Sequence, residues 1–237
     1  MIILTIIIPA FNEEKTIEQV INTIPKFSKI KTKVLVIDDG SVDNTLSYAQ
    51  RQGAELISNI RNLGLGSVFK IGLSYALKEN SNIIAILDAD GQYESYRLKE
   101  LIYPIIEENY DFVIGNRFFD QEYFESDFLK GLANRVISIF ISKLILRLDS
   151  IYDIQSSFRA FNCKLAKFVE KNIRARYNYA QEMFILASLN KFKIKQIPVK
   201  CKSRSSGKSK LIKNPFLHIF RILWISFKTY MKYINQK

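Results

Sequence analysis

Short runs of Ile, Val and Leu alternate with amphipathic stretches through the first half of the chain. Leu4–Pro9, Lys33–Asp38, Asn82–Asp88 and Asp111–Gly115 are nearly continuous aliphatic runs, which predicts strands buried on both faces. Between them, apolar residues recur at helical spacing near Glu13–Ile24, Asp43–Gln52, Ser67–Lys78 and Tyr96–Glu107. Strands alternating with helices imply an α/β fold: a mostly parallel, Rossmann-like sheet with helices on both faces. In such sheets ligands bind outside the carboxyl ends of the strands, so the polar residues that stop these runs are the first candidates for a site.

The second half has a different pattern. Leu129–Leu148 predicts a long helix carrying Lys130, Asn134, Ser138 and Ser142, and residues 157–162 and 193–199 predict strands. "KSRSSGKSK" (202–210) reads as a flexible basic loop. Pro215–Ile234 predicts an amphipathic helix whose narrow polar stripe is His218, Arg221, Lys228 and Lys232. There is no internal repeat and no low-complexity linker. The N-terminal "MIILTIIIPAF" lacks a basic leader and stops at Pro9, so it reads as a strand rather than a signal peptide. No stretch reaches the ~18 uncharged apolar residues of a spanning helix.

Composition sharpens this picture in two ways. At 237 residues and 48% hydrophobic content the chain suits one large domain, or one domain with an appendage, and has enough apolar residues for a sizeable core, which argues against disorder. Two cysteines, Cys163 and Cys201, make no disulfide framework and point to a reducing compartment. The net charge of +12 is lopsided. Residues 1–120 hold 12 Lys/Arg against 16 Asp/Glu, residues 121–237 hold 23 against 7, and no acid follows Glu182. A basic half of this kind calls for an anionic partner: nucleic acid, anionic lipid or a phosphorylated substrate.

Three strands end in polar signatures: "IIIPAFNEE", "VIDDGSVDNT" and "ILDADGQY". Gly40 suits a tight turn, and Asp43 or Asn44 can cap the next helix. Turn chemistry does not explain Asp38 beside Asp39 at a strand end, where a carboxylate can accept from a nucleobase N–H or ribose hydroxyls. Asp88 and Asp90, two residues apart, form a hard oxygen pair suited to Mg2+ or Mn2+, ions typically held by one or two carboxylates plus substrate phosphates. Alone, a D-x-D is as often an exposed turn; three such strand ends in one alternating pattern favour a site.

These motifs, with "NLGLGSVFKIG", "DFVIGNR", "DIQSSFRAF" and "SGKSK", resemble the family 2 glycosyltransferases of GT-A fold. The branch they most resemble is the polyprenyl-phosphate sugar synthases, such as dolichyl-phosphate mannose synthase. The resemblance spans residues 2–212 in family order, a joint match far more specific than any single motif. It implies a catalytic domain over 1–212, with 213–237 as an amphipathic helix at a membrane surface or oligomer interface. Pro9, Phe11, Glu13, Ile37 and Asp39 would hold the base and ribose. Asp88, Ala89 and Asp90 would contact the nucleotide, with Asp88, Asp90 and Gln92 at the metal. Arg117, Arg204 and Lys210 would face phosphates, and Arg117, Arg135, Ser138 and Arg204 the acceptor phosphate; Asp90, Arg117 and Arg204 are the implied catalytic set. After "GNR" the chain reads "FFDQEYFESDF", where many relatives have a Gly-rich loop.

The implied reaction moves a hexose from a nucleotide-diphosphate sugar, of GDP-mannose or UDP-glucose type, to a polyprenyl or dolichyl phosphate. It would take place at the cytoplasmic face of a membrane, by one chain, a homo-oligomer, or with a separate membrane subunit. A sugar hydroxyl as acceptor is the alternative, and a non-catalytic nucleotide-sugar-binding or scaffold protein a further one. Other chemistries find no carriers. "GLGSVFKIG" does not follow the first strand, as a dinucleotide fingerprint would. His218 is the only histidine and lies in an amphipathic helix. Glu182, in a helical pattern, suits capping or packing as well as a site. No nucleic-acid-binding signature accompanies the basic half. Arg159 is a further candidate for phosphate.

Overall fold

The computed structural model describes residues 1–118, 128–174, 179–202 and 215–234. Within them β1 (Ile2–Ala10), β2 (Ile30–Asp38), β3 (Glu55–Ser58), β4 (Ile83–Ile86), β5 (Phe112–Asn116), β6 (Arg159–Asn162) and β7 (Ile194–Pro198) form one sheet, in the order β3-β2-β1-β4-β6-β5-β7. Only β6 is reversed, pairing antiparallel with β4 and β5. Helices α1 (Ile17–Asn22), α2 (Thr45–Arg51), α3 (Leu65–Lys78), α4 (Leu98–Glu107), α5 (Phe128–Ile139), α6 (Cys163–Asn172), α7 (Tyr179–Leu189) and α8 (Pro215–Ile234) cover the two faces.

The aliphatic runs explain the layers. Along β1, Leu4, Ile6 and Ile8 join a core with Ile17 and Val20 of α1 and Leu98, Leu101 and Ile102 of α4. Ile7 points to the other face and packs with Val68, Phe69 and Leu73 of α3 and Met183 and Phe184 of α7. Full burial of each such side chain is worth about 1.5–3 kcal/mol, which fixes the register of the central strands.

Register then brings the strand ends together. Pro9 lies beside Ile37 and Ala10 beside Asp38, while Ile7 lies beside Ile86. Because β6 is reversed, the segment that enters it, 153–158, sits at the same sheet edge as the carboxyl ends of β4 and β5. The exit of β7 reaches that edge too, and comes close. A Cβ on Gly115 would lie 2.8 Å from a methyl of Val199, so "IGNR" needs glycine where β5 passes the chain leaving β7.

The four first-half strands and helices occupy the predicted places, and three elements differ. The edge strand β3 is only four residues long and half-exposed, so no continuous apolar run announced it. The helix predicted to reach Leu148 ends its regular turns at Ile139 and continues as a π-turn over Phe140–Ile145. It stops where Arg147 takes a positive φ of 53°. Of the second-half helices, α6 was not predicted. α8 packs on α7 and α5 with Ile222 and Ser226 buried. Among the described residues, no helix is long and apolar enough to cross a membrane.

Candidate functional site

The first wall of the site is built from the ends of β1 and β2. The loop after β1 is laced to the loop after β2: Asn12 N–H donates to Ser41 Oγ at 2.8 Å, Val42 N–H to Asn12 Oδ1 at 2.9 Å, and Glu13 N–H to Thr45 Oγ1 at 2.8 Å. Pro9, Phe11 and Glu13 are half-buried along this wall, and Ile37 is buried beneath it. Asp38 is fully buried and accepts from Ser41 N–H at 3.1 Å and the Ser58 hydroxyl at 3.3 Å, so it serves the turn. Asp39 holds a second loop. Its carboxylate accepts from Asn59 Nδ2 at 3.0 Å, Leu63 N–H at 2.8 Å and Gly64 N–H at 2.9 Å, tying residues 59–64 to the end of β2. Gly40, at φ +84°, lets the two loops touch, since a Cβ there would sit 3.1 Å from the Arg61 backbone.

The second wall is the acid pair at the end of β4. Asp88 is half-buried and receives the Ser157 hydroxyl. Asp90 is nearly buried and accepts from Gln92 N–H at 3.1 Å. Between them Ala89 C=O accepts from Thr16 Oγ1 at 2.7 Å, fixing the turn to the start of α1. Gln92 donates its side-chain amide to Lys202 C=O at 2.8 Å, and its own C=O accepts Lys202 N–H at 3.0 Å. Lys202 Nζ lies 2.9 Å from Glu94, whose carboxyl is held below its usual range by the Tyr96 hydroxyl, against the cost of burial, and by Lys202. Arg97 donates to Pro198 C=O at 2.7 Å. Lys202, the last described residue before the basic stretch, is therefore tied to Gln92, two residues after Asp90. Arg204 and Lys210, placed in that stretch by the sequence, lie outside the described residues.

The third wall is basic. Arg117, just past β5, is gripped by Asp153: Nε at 2.6 Å, Nη2 at 2.9 Å and the backbone N–H at 3.2 Å. Asp153 has no exposed surface. Burial works against the Arg117 charge, but the Asp153 carboxylate overcomes it and raises the guanidinium pKa well above its ordinary value. Nearby, burial pushes the Cys201 thiol up to about 11.

Of the other predicted phosphate ligands, Arg135 is exposed on α5, whereas Ser138, one turn on, is fully buried with no hydrogen-bond partner for its Oγ. Arg159 departs from expectation. It is fully buried and spends its guanidinium on the carbonyls of Ile154, Ser156 and Ala180, so it lies beneath the site rather than facing a phosphate. Asp153 and Ser157 were not singled out from the sequence. Their signal was the unassigned "DIQSS", an acid and two hydroxyls immediately before a strand.

The donor set answers which cation it suits. Among the described residues no group of three or more His, Cys, Asp or Glu could hold a metal. Asp88 and Asp90 instead fit an ion that takes one or two carboxylates and completes its shell with phosphate oxygens and water.

The family model for glycosyl transferase family 2 matches residues 5–169. The chain belongs to that family. It is 29% identical over 215 residues to the UDP-N-acetylglucosamine–dolichyl-phosphate N-acetylglucosaminyltransferase of Methanococcus voltae, covering 82% of this chain and 84% of that one. It is 22% identical over 214 residues to the polyprenol monophosphomannose synthase of Mycolicibacterium smegmatis, covering 87% and 80%. Glucosyl-3-phosphoglycerate synthase from Mycobacterium tuberculosis, solved with Mn2+, UDP and glucosyl-3-phosphoglycerate, superposes with a TM-score of 0.72 at 18% identity, covering 94% of this chain and 79% of that one. That likeness establishes the GT-A-type fold. The chain is a glycosyltransferase.

Proposed function

We propose that this glycosyltransferase moves a hexose from a nucleoside-diphosphate sugar to a polyprenyl phosphate at the cytoplasmic face of a membrane. The observation that carries the reading is the meeting, at one sheet edge, of the Asp88/Asp90 pair with an Arg117 held rigid by Asp153. The names of two relatives, which act on dolichyl or polyprenol phosphate, point the same way.

In this reading Pro9, Phe11, Glu13 and Ile37 bind the base and ribose, with Asp39 acting directly or through the 59–64 loop it holds. Asp88 and Asp90 hold the divalent cation, Mg2+ or Mn2+, on the diphosphate, and that ion neutralises charge on the leaving group. Gln92 joins them from the turn it pins to Lys202. Arg117, Arg135, Arg204 and Lys210 supply the acceptor side; Ser138, fully buried, does not face it.

The acceptor needs no general base. A phosphate monoester has a second pKa of about 6 and is largely a dianion near pH 7. It needs positive charge to hold it and aim an oxygen at the anomeric carbon. A sugar or prenol hydroxyl would need its proton removed. The experiment follows directly: with labelled nucleotide sugars and Mg2+ or Mn2+, a short-chain prenyl phosphate is expected to take label into the organic phase, and the free prenol is not. Comparable transfer to the prenol or to a sugar hydroxyl overturns the reading.

The membrane surface has a physical counterpart. Val136 (57% exposed) and Leu144 (67%) on the α5 arm, and Trp224 (57%) and Phe227 (51%) on α8, present apolar side chains to solvent. Arg135, Lys143, Arg147 and Lys228 are exposed on the same two segments. A basic, aromatic-bearing helix pair of this kind suits the interface plane of a bilayer without spanning it, each base adding about 1 kcal/mol near an anionic surface. The protein is expected to co-sediment with phosphatidylserine-containing liposomes at low salt and to be released as salt rises. Absence of binding at low salt would assign these faces to an oligomer or a membrane subunit instead.

A further inference from the structure

Among the described residues Arg159 is the largest fully buried side chain, and the proposed reaction gives it no task. We propose that it is a positioning residue that aligns the donor and acceptor halves of the site together, through the segment Asp153–Ser157. The sheet register places it for this. Its neighbours are Ile86 on β4 and Ile114 on β5, so it sits between the two strands that deliver Asp88 and Arg117. Its guanidinium reaches back along its own chain and takes the carbonyls of Ser156, at 2.8 Å from Nε, and Ile154, at 3.4 Å from Nη2. Nη1 takes Ala180 C=O, at 2.9 Å, at the start of α7. The rings of Phe112 and Tyr179 lie 5.6 and 5.9 Å from it.

The segment held in this way has one functional contact at each end. Asp153 grips Arg117, and Ser157 donates to Asp88. Between them the chain makes no strand pairs; its internal backbone bonds are turn-like, such as Ser156 N–H to Asp153 C=O at 3.2 Å. A five-residue turn with so little regular bonding needs an external brace to hold both ends in one geometry. A planar, charged fork fixes carbonyl directions in a way a lysine ammonium cannot, since the ammonium is a point charge on a flexible stem.

The inference rests on the reading that Asp88 serves the donor and Arg117 the acceptor, so its test uses neither prenyl phosphate nor turnover. Two quantities are read: the dissociation constant of UDP and of GDP with Mg2+, by calorimetry, and the slowly exchanging Arg117 Nε–H signal expected in 15N spectra from its bond to Asp153. Arg159→Lys, folded and assayed well below its melting temperature, is expected to bind the better nucleotide about tenfold more weakly and to lose the Arg117 signal. Ser157→Ala should weaken nucleotide binding while keeping the signal; Asp153→Ala, which removes the acceptor, should lose the signal while keeping nucleotide affinity. A folded Arg159→Lys protein that matches the native one in either quantity overturns the proposal, because a brace that only stabilises the fold moves neither. If Arg159→Lys does not fold, unchanged affinity in Ser157→Ala or a retained signal in Asp153→Ala overturns it. A native protein that binds nucleotide but ignores prenyl phosphate would refute the acceptor assignment and leave both readouts intact.

Discussion

Asp90→Ala is expected to abolish sugar transfer, by roughly a thousandfold or more, as loss of a preorganised electrostatic contact at a developing charge does. Asp90 is nearly buried at the end of β4, and the bond it accepts from Gln92 N–H orients the carboxylate without neutralising it. In the proposed reaction it anchors the cation on the diphosphate, so its removal should weaken nucleotide binding when Mg2+ or Mn2+ is present and change little in a chelator. Asp90→Asn keeps an acceptor for the Gln92 N–H and loses only the charge. It should therefore fold like the native protein and still fail in transfer. Asp39→Ala provides the contrast. Its carboxylate organises residues 59–64 and the neighbouring wall of the site, so nucleotide binding should weaken with or without metal. Calorimetric titration of UDP and GDP, each with metal and with chelator, separates the two. Equal affinity in both conditions for the native protein would sink the metal-bridged diphosphate.

Much of this architecture was legible in the sequence because burial writes itself into composition. Strands buried on both faces, such as Ile6–Ile8 and Leu35–Ile37, must be aliphatic, and the parallel alternation places their polar ends at one edge. The acids at those ends, Asp38, Asp39, Asp88 and Asp90, were therefore candidates before any coordinates, and the family resemblance added Pro9 and Arg117. What stayed hidden depends on long-range pairing. Nothing in "FRAF" tells that β6 runs backwards, yet that reversal carries Asp153 and Ser157 to the edge beside Arg117 and Asp88. The sequence also made Arg159 a further candidate for phosphate. It is buried because three backbone carbonyls, one of them 21 residues away, replace water around it. The family resemblance implied Gln92 as a metal ligand, and only the fold reveals that Lys202, 110 residues later, takes its amide N–H. β3 was invisible for the opposite reason: a half-exposed edge strand owes little to burial and leaves no run to read.

Asp153→Ala is expected to cost about 3–5 kcal/mol of folding stability, because it leaves the Arg117 charge in a mostly buried position without its partner. For a chain of this size that is roughly 10 °C in melting temperature. The expected behaviour of the double replacement distinguishes stability from function. Desolvating two charges is itself expensive, and an apolar pair of similar volume often replaces a buried ion pair without loss. Asp153→Ala with Arg117→Met should therefore melt higher than either single variant, since each single variant strands one charge and the double strands none. Transfer should stay absent in all three, because the pair's purpose is to present an oriented cation at the sheet edge rather than to hold β5 in place. Melting curves and transfer assays on the four proteins decide it. A single Asp153→Ala variant that melts like the native protein would show the pair to be more solvated than its burial implies. A double variant that recovers transfer along with stability would remove Arg117 from the acceptor side and leave that role to the bases of α5 and the segment after Lys202.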